Sequence, residues 1–311
     1  MKRILVPLDG SSFAERALGP ALHLAARHEA EIHMASVVSD LPPVPLATAD
    51  SEQATRWVEE ERKRAEQYLE EVRERTLGKA PGARLEFHAR VGPVTKAIER
   101  LADQLEVDLI MLTTHGRGSW QRAWLGSVAD QLLRRAEKPL LLLRDQEAGG
   151  GLFKASTSPE HVLIPLDGSE AAETVLEVLD PILPEEGGQV TLASVLHQPF
   201  PLATTYLPHT TSEQFMMSER KEHLQSYLDE VAERFTDKGV EVETRVLVGE
   251  DAAQGLLEVA DKAKVDLIAL STRGRGGVTR FFLGSVADKL VRGAKVPLLT
   301  ARRPGEHGED D

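Results

Sequence analysis

The chain of 311 residues contains no cysteine at all. Disulfides, thiolate catalysis and thiolate zinc sites are thereby excluded. Long apolar runs are missing too. The N-terminal segment MKRILVPLDGSS offers only Ile4 to Leu8, interrupted by Pro7, which is too short for a signal-peptide core, and no stretch approaches the length of a membrane span. The expectation is a cytoplasmic protein that neither enters nor crosses a membrane. Positive charge is also in deficit: the formal net charge is −13. It is unevenly spread, with 21 Lys and Arg against 23 Asp and Glu in residues 1–150, and 16 against 27 in residues 151–311. Such a surface repels a phosphodiester backbone, so a general nucleic-acid role is disfavoured.

Several chemical signatures are absent as well. No G-x-x-x-x-G-K-[ST] occurs, since Gly78-Lys79 is followed by Ala80. GxGxxG fails because Gln121 and Thr279 stand where its last glycine belongs. The ten histidines include no HxxxH or HExxH pair, which argues against a protein-only metal site. No G-x-S-x-G nucleophile elbow is present.

What is present is a repeat. VPLDGS at Val6–Ser11 returns as IPLDGS at Ile164–Ser169, ASVV at Ala35–Val38 as ASVL at Ala193–Leu196, and VDLI at Val107–Ile110 as VDLI at Val265–Ile268. HGRG at His115–Gly118 returns as RGRG at Arg273–Gly276, and LGSVAD at Leu125–Asp130 as LGSVAD at Leu283–Asp288. Every pair is offset by 158 residues, so a whole domain is duplicated. The Gly- and Ser-rich stretch between Arg144 and Glu160 reads as the seam. The expected organisation is domain 1 over 1–146, a linker over 147–159, domain 2 over 160–303 and an acidic disordered tail over 304–311.

Within a half, strands and helices alternate. Arg3–Leu8 reads as a strand, Ser12–Arg27 as a helix, Glu31–Val38 as a strand, and about Glu52 to Thr76 as a long charged helix with Trp57, Ala65, Tyr68, Leu69 and Val72 on its apolar stripe. Arg84–Val91, Val107–Leu112 and Pro139–Arg144 read as further strands, with helices over Pro93–Leu105 and Ser127–Ala136. The pattern predicts an α/β fold: two tandem open five-stranded parallel sheets with helices on both faces. The strands Leu140–Arg144 and Pro297–Arg302 are expected to pair as edges between the halves. The long loops 39–54 and 197–214, each with a PLAT sequence, read as either lids or domain contacts.

Ligands of open parallel sheets bind beyond the carboxyl ends of strands, where strand order reverses. Three features per half fall there. The PLDGS turn (Pro7, Leu8, Asp9; Pro165, Leu166, Asp167) either simply turns the chain, with serine capping the next helix, or presents a carboxylate to a ribose hydroxyl or adenine amine. The second strand ends in Ser36-Val37 and Ser194-Val195. The fourth is followed by a Gly-rich segment leading to Gly126-Ser127 and Gly284-Ser285, where a glycine admits a phosphate and the serine either caps the helix or bonds a phosphate oxygen. The first amides of that helix point at the same place.

These residues resemble the universal stress proteins over nearly the whole chain. VPLDGS, a second strand ending in Ser-Val, and Gly116 or Gly274 followed after nine residues by Gly126-Ser127 or Gly284-Ser285 carry the likeness. The ATP-binding branch has G-x2-G-x9-G-[ST]; here Thr113 and Ser271 replace its leading glycine. The resemblance implies a Rossmann-like fold of the adenine nucleotide alpha-hydrolase type and ATP, with Mg2+ on its phosphates. It implies adenine near the backbone of Val37 and Val195, the nucleoside at Asp9 and Asp167, and phosphates around Gly116, Gly126, Ser127 and Val128, with Gly274, Gly284, Ser285 and Val286 in the second half. Arg117 and Arg275 lie in the same loops, beside His115 and Arg273. Because arginine is always charged whereas His115 is mostly neutral at pH 7, the second site is expected to be the tighter. A sensor that dimerises and acts on a protein partner is the leading expectation. A slow ATPase and a nucleotide-free dimerising scaffold are the alternatives.

Overall fold

The computed structural model describes residues 1–40, 51–114, 125–144, 158–184, 187–197, 211–272 and 283–302. The expected linker falls mainly, and the expected tail wholly, outside the described residues, as do most of both long loops. The chain divides into two compact units, Met1–Thr157 and Ser158–Asp311.

The first unit runs β1 (Arg3–Pro7), α1 (Leu18–His28), β2 (Glu31–Val38), α2 (Ser51–Lys79), β3 (Arg84–Val91), α3 (Val94–Gln104), β4 (Leu109–Thr113), α4 (Ser127–Arg135) and β5 (Leu140–Leu143). Its strands lie in the order β3-β2-β1-β4-β5 and each neighbouring pair is parallel. The second unit repeats the series: β6 (His161–Pro165), α5 (Glu170–Leu179), β7 (Gln189–His197), α6 (Thr211–Ala232), β8 (Glu241–Gly249), α7 (Ala252–Lys262), β9 (Leu267–Ser271), α8 (Ser285–Gly293) and β10 (Leu298–Ala301). Its order is β8-β7-β6-β9-β10, again parallel throughout. The predicted fold class is the observed one.

The central strands are apolar without alternation because both faces are covered. Ile4, Leu5 and Val6 of β1, Leu109, Ile110 and Met111 of β4, and Leu140 to Leu142 of β5 are buried, and so are their counterparts Val162 to Ile164, Leu267 to Ala269, and Leu298 and Leu299. In each unit the chain moves outward from the first strand through the second to the third, then returns to the first strand's other side. Strand order therefore reverses between β1 and β4, paired at Ile4↔Leu109, and between β6 and β9, paired at Val162↔Leu267. A crevice forms at the carboxyl ends of such a pair.

One element departs from expectation. The helix expected over Ser12–Arg27 is a 3-10 turn at Ala14–Ala17 followed by α1. Pro20 accounts for the break: it has no N–H to give to a carbonyl four residues earlier, so regular α-helix can only begin within the turn before it. The second half has no proline there, and α5 begins directly at Glu170. It ends at Leu179, two residues before Pro181.

Two histidines meet under the first unit. Nδ1 of His33 on β2 lies 3.2 Å from Nε2 of His88 on β3. Burial holds His33 below its ordinary range, against the charge of Glu31, with Arg3 adding to the depression and Glu86 opposing it. Burial, then the charge of His33, then Arg90 push His88 down to about 4. Folding thus favours neutral rings. The stability this confers is complete above the unfolded value of ~6.5 and is lost as the pH falls toward that of folded His88. Urea midpoints at pH 7 and pH 4.5 should show the parent protein losing about 1–2 kcal/mol more than His88→Gln, a figure reduced for partial solvent screening. Equal losses would remove the pair from the account.

Candidate functional site

Each unit builds its site from the ends of its first, second and fourth strands. After β1, the Leu8 amide donates to the Ala35 carbonyl at 2.7 Å, and after β6 Leu166 donates to Ala193 at 2.8 Å. These bonds carry the PLDGS turn past the strand end and hold it beside the second strand. Asp9 Oδ1 then accepts from the Ser11 amide at 2.9 Å and from the Ser11 hydroxyl at 2.6 Å. Ser11 Oγ in turn accepts from the Ala14 amide at 3.1 Å. Asp167 and Ser169 repeat the arrangement, with Ser169 as N-cap of α5 accepting from Ala172. Gly10 and Gly168 have φ of 81° and 78°, a left-handed conformation that only glycine takes without strain. The turn-making reading of PLDGS is therefore realised in the structure. It engages Oδ1, and a carboxylate offers about four acceptor positions, so the same side chain can also receive a hydroxyl.

The second strand brings Ser36 and Ser194, both buried, and then Val37 and Val195, half-buried at the carboxyl edge. The fourth strand ends at Thr113, followed by a buried Thr114; its counterpart ends at Ser271, followed by Thr272. Thr114 and Thr272 are anchored by their amides to Leu143 and Ala301, both at 3.0 Å. Their carbonyls accept from the amides of Gly126 and Gly284. The start of the last helix is thereby hung directly on the end of the fourth strand.

That helix corrects one expectation. Ser127 and Ser285 are not caps. The N-caps are Gly126 and Gly284, and the serines are the first helical residues, with no side-chain capping bond. The first intrahelical bonds are Asp130 to Gly126 at 2.9 Å and Asp288 to Gly284 at 2.8 Å. The amides of Ser127, Val128 and Ala129, and of Ser285, Val286 and Ala287, precede any intrahelical acceptor and are directed out of the helix start. The acid of the first turn is drawn off: Asp130 is bound bidentately by Arg134 at 3.0 and 3.1 Å, Asp288 by Arg292 at 2.8 and 3.2 Å. The positive end of the helix dipole is left facing the carboxyl edge.

Of the residues expected at the site, Gly116, Arg117, Gly274 and Arg275 lie outside the described residues, together with His115 and Arg273. Pro7, Leu8, Asp9, Val37, Thr113, Gly126, Ser127 and Val128 stand at the carboxyl ends of β1, β2 and β4. So do Pro165, Leu166, Asp167, Val195, Ser271, Gly284, Ser285 and Val286 at those of β6, β7 and β9. Among the described residues no three His, Asp or Glu side chains are grouped to hold a metal.

The structure adds a pair of clamps. The Tyr68 hydroxyl donates to Glu15 at 3.1 Å while Arg75 pairs with the same carboxylate at 3.1 Å. Tyr227 and Arg234 hold Glu173 in the same way, at 3.0 and 2.8 Å. Burial and the adjoining Glu15 carboxylate raise the Tyr68 hydroxyl far above its ordinary range, with Asp9 contributing; Glu173 and Asp167 do the same to Tyr227. Each clamp ties the long helix to the first turn after PLDGS. The signal was present as YLEEVRER at Tyr68–Arg75 and YLDEVAER at Tyr227–Arg234, but at an offset of 159 rather than 158.

The universal stress protein family model matches this architecture twice, over residues 1–144 and 159–302. The chain belongs to the universal stress protein family. Universal stress protein Rv2623 of Mycobacterium tuberculosis is 25% identical over 305 residues, covering 96% of both chains. Universal stress protein Rv2005c of the same species is 30% identical over 200 residues, 64% of this chain and 63% of that relative, so this match spans somewhat under two thirds of its length. Among solved universal stress proteins, one from Archaeoglobus fulgidus superposes with a TM-score of 0.66 at 19% identity, covering 97% of this chain and 98% of that one. A second, described as a putative universal stress protein from Pseudomonas aeruginosa, gives 0.62 at 14% identity, covering 97% and 93%. Both show the shared fold. No helix among the described residues is long and apolar enough to cross a membrane.

Proposed function

We propose that this universal stress protein is an ATP-binding regulatory protein of the cytoplasmic stress response, with one adenine-nucleotide site per unit. The observation that carries the reading is the glycine-capped helix start hung on the end of the fourth strand, next to an aspartate turn, built the same way in both units. A helix start with outward-directed amides and a positive dipole suits phosphate, and a carboxylate a strand away suits a ribose hydroxyl. The glycines add support. Gly126 and Gly284 have φ of −65° and −57°, which any residue adopts. Among the described residues, a Cβ on Gly284 would meet only the Thr272 carbonyl, at 3.6 Å. These backbone angles make no demand for glycine, whereas a phosphate approaching the backbone does.

In this reading Val37 and Val195 bind adenine through their backbone, and Asp9 and Asp167 hold the ribose. Thr113 and Ser271 line the floor where the family motif has glycine. Ser127, Val128, Ser285 and Val286 hold phosphate with the Gly-rich loops of Gly116, Arg117, Gly274 and Arg275, and Mg2+ enters with phosphate oxygens as its main ligands. Occupancy then biases the surfaces that meet a second chain or a regulatory protein partner. Calorimetric titration with Mg-ATP tests the pairing. Two unequal sites are expected, Asp167→Ala removing the tighter and Asp9→Ala the weaker. Equal losses would contradict the assignment of Arg273, standing where the first unit has His115, as the stronger phosphate partner.

A further inference from the structure

Strand β8 is the outer edge of the second unit's sheet, and its sequence is nearly a palindrome of chemistry. The Glu241 amide donates inward to Gly188 at 2.8 Å, so by the alternation of a parallel ladder Glu243, Arg245 and Leu247 also turn their backbone toward β7. Val242, Thr244, Val246 and Val248 turn theirs outward. No lysine or proline, the usual guards of an exposed edge, stands at any of these four positions. They are β-branched without exception, and Val248 is 49% exposed. Thr244 is set in place by bonds with Asp229 at 2.8 Å and Gln225 at 2.7 Å.

We infer that β8 is a self-recognition edge, on which a second copy of this chain adds its own β8 antiparallel about a twofold axis at Thr244. Hydrogen bonding across such an edge requires outward residues to oppose outward residues. Centring on Thr244 satisfies this, placing Val242 opposite the partner's Val246, and Val248 opposite the partner's Val240. The same register sets Glu243 opposite the partner's Arg245, twice by symmetry. These side chains now bond each other along one strand, at 2.7 and 2.8 Å. Adjacent registers are rejected by charge: centring on Glu243 opposes two glutamates, and centring on Arg245 opposes two arginines. One alignment therefore combines β-branched cross-strand pairs with opposite-charge pairs, as isologous strand addition needs.

Sedimentation equilibrium of the full chain, with charge reversals on this exposed face, tests the inference. Glu243→Arg and Arg245→Glu should each weaken dimerisation by about tenfold or more, and the double swap should restore it. Because the chain lacks cysteine, the register can be read by cross-linking. Thr244→Cys should form a covalent dimer under mild oxidation, since residues of a hydrogen-bonded antiparallel pair lie about 5.5 Å apart, within disulfide reach. Val246→Cys alone should not cross-link, whereas Val242→Cys with Val246→Cys should; that pair also serves if Thr244→Cys perturbs the bonds to Asp229. A chain that stays monomeric, or a dimer indifferent to both charge reversals, overturns the proposal.

Discussion

Gly284→Val should leave the second unit folded and strip it of nucleotide. The backbone at Gly284 is extended at φ −57° and ψ 146°, and among the described residues the nearest atom to an added Cβ is the Thr272 carbonyl oxygen at 3.6 Å, an ordinary contact. Valine is a poorer N-cap than glycine, which sets the stability cost at about 1 kcal/mol or less. The same side chain fills the space through which a phosphate would reach the amides of Ser285 and Val286, so Mg-ATP affinity at that site should fall on the order of 10- to 100-fold. Gly168→Val is the contrast. Its φ of 78° is strained for any branched residue, so it should destabilise the unit by about 1–2 kcal/mol or more. A melting curve for Gly284→Val as depressed as that for Gly168→Val would mean that both glycines serve the fold, and the phosphate reading would lose its best support.

Asp266→Ala should cost the second unit about 2–4 kcal/mol while leaving its nucleotide affinity intact. Asp266 precedes β9 and accepts from the amides of Glu160 and His161, at 2.9 and 3.1 Å, where β6 begins. Burial pushes its carboxyl up, against the two amides that favour the charged form. Alanine leaves both donors without their acceptor. For a unit of this size the melting temperature should drop by about 5–15 °C. Asp266→Asn keeps an acceptor oxygen and should cost less. Asp108 does the same work in the first unit for the amides of Lys2 and Arg3. Alanine substitution there should cost less, because Asp108 is the more exposed. A drop in ATP affinity for Asp266→Ala at temperatures where the unit remains folded would assign the residue to the site instead.

Asp108 and Asp266 also show how far repetition alone can be read. VDLI recurs as faithfully as LGSVAD, yet its aspartate staples the amino ends of two strands, opposite to the edge where the loops gather. Identity between the halves marks what both need, and a strand staple is needed as much as a helix start at the carboxyl edge. The strand limits of β2 and β3 were legible to the residue because the apolar run of β2 and the alternating pattern of β3 are bounded by charged and turn residues. The start of α1 was not, since Pro20 acts through a missing N–H that a helical periodicity does not register. The three carboxyl-edge features followed from strand alternation and the reversal of order. What remained hidden was relational. Tyr68 reads as one apolar stripe residue, and its hold on Glu15, 53 positions away, emerges only once α2 folds back across β2 and β3. Serine at the start of α4 reads as a cap by composition, but the bond from Gly126 to Thr114 shifts the cap one residue earlier.

The most direct test of the central claim is to denature protein freshly purified from cells and count the nucleotide it releases. About one or two ATP per chain should appear, falling to none when Asp9→Ala and Asp167→Ala are combined. If no nucleotide is released, and added Mg-ATP leaves the melting temperature unchanged, the glycine-capped helix starts are structural features of a scaffold and the ATP assignment is wrong.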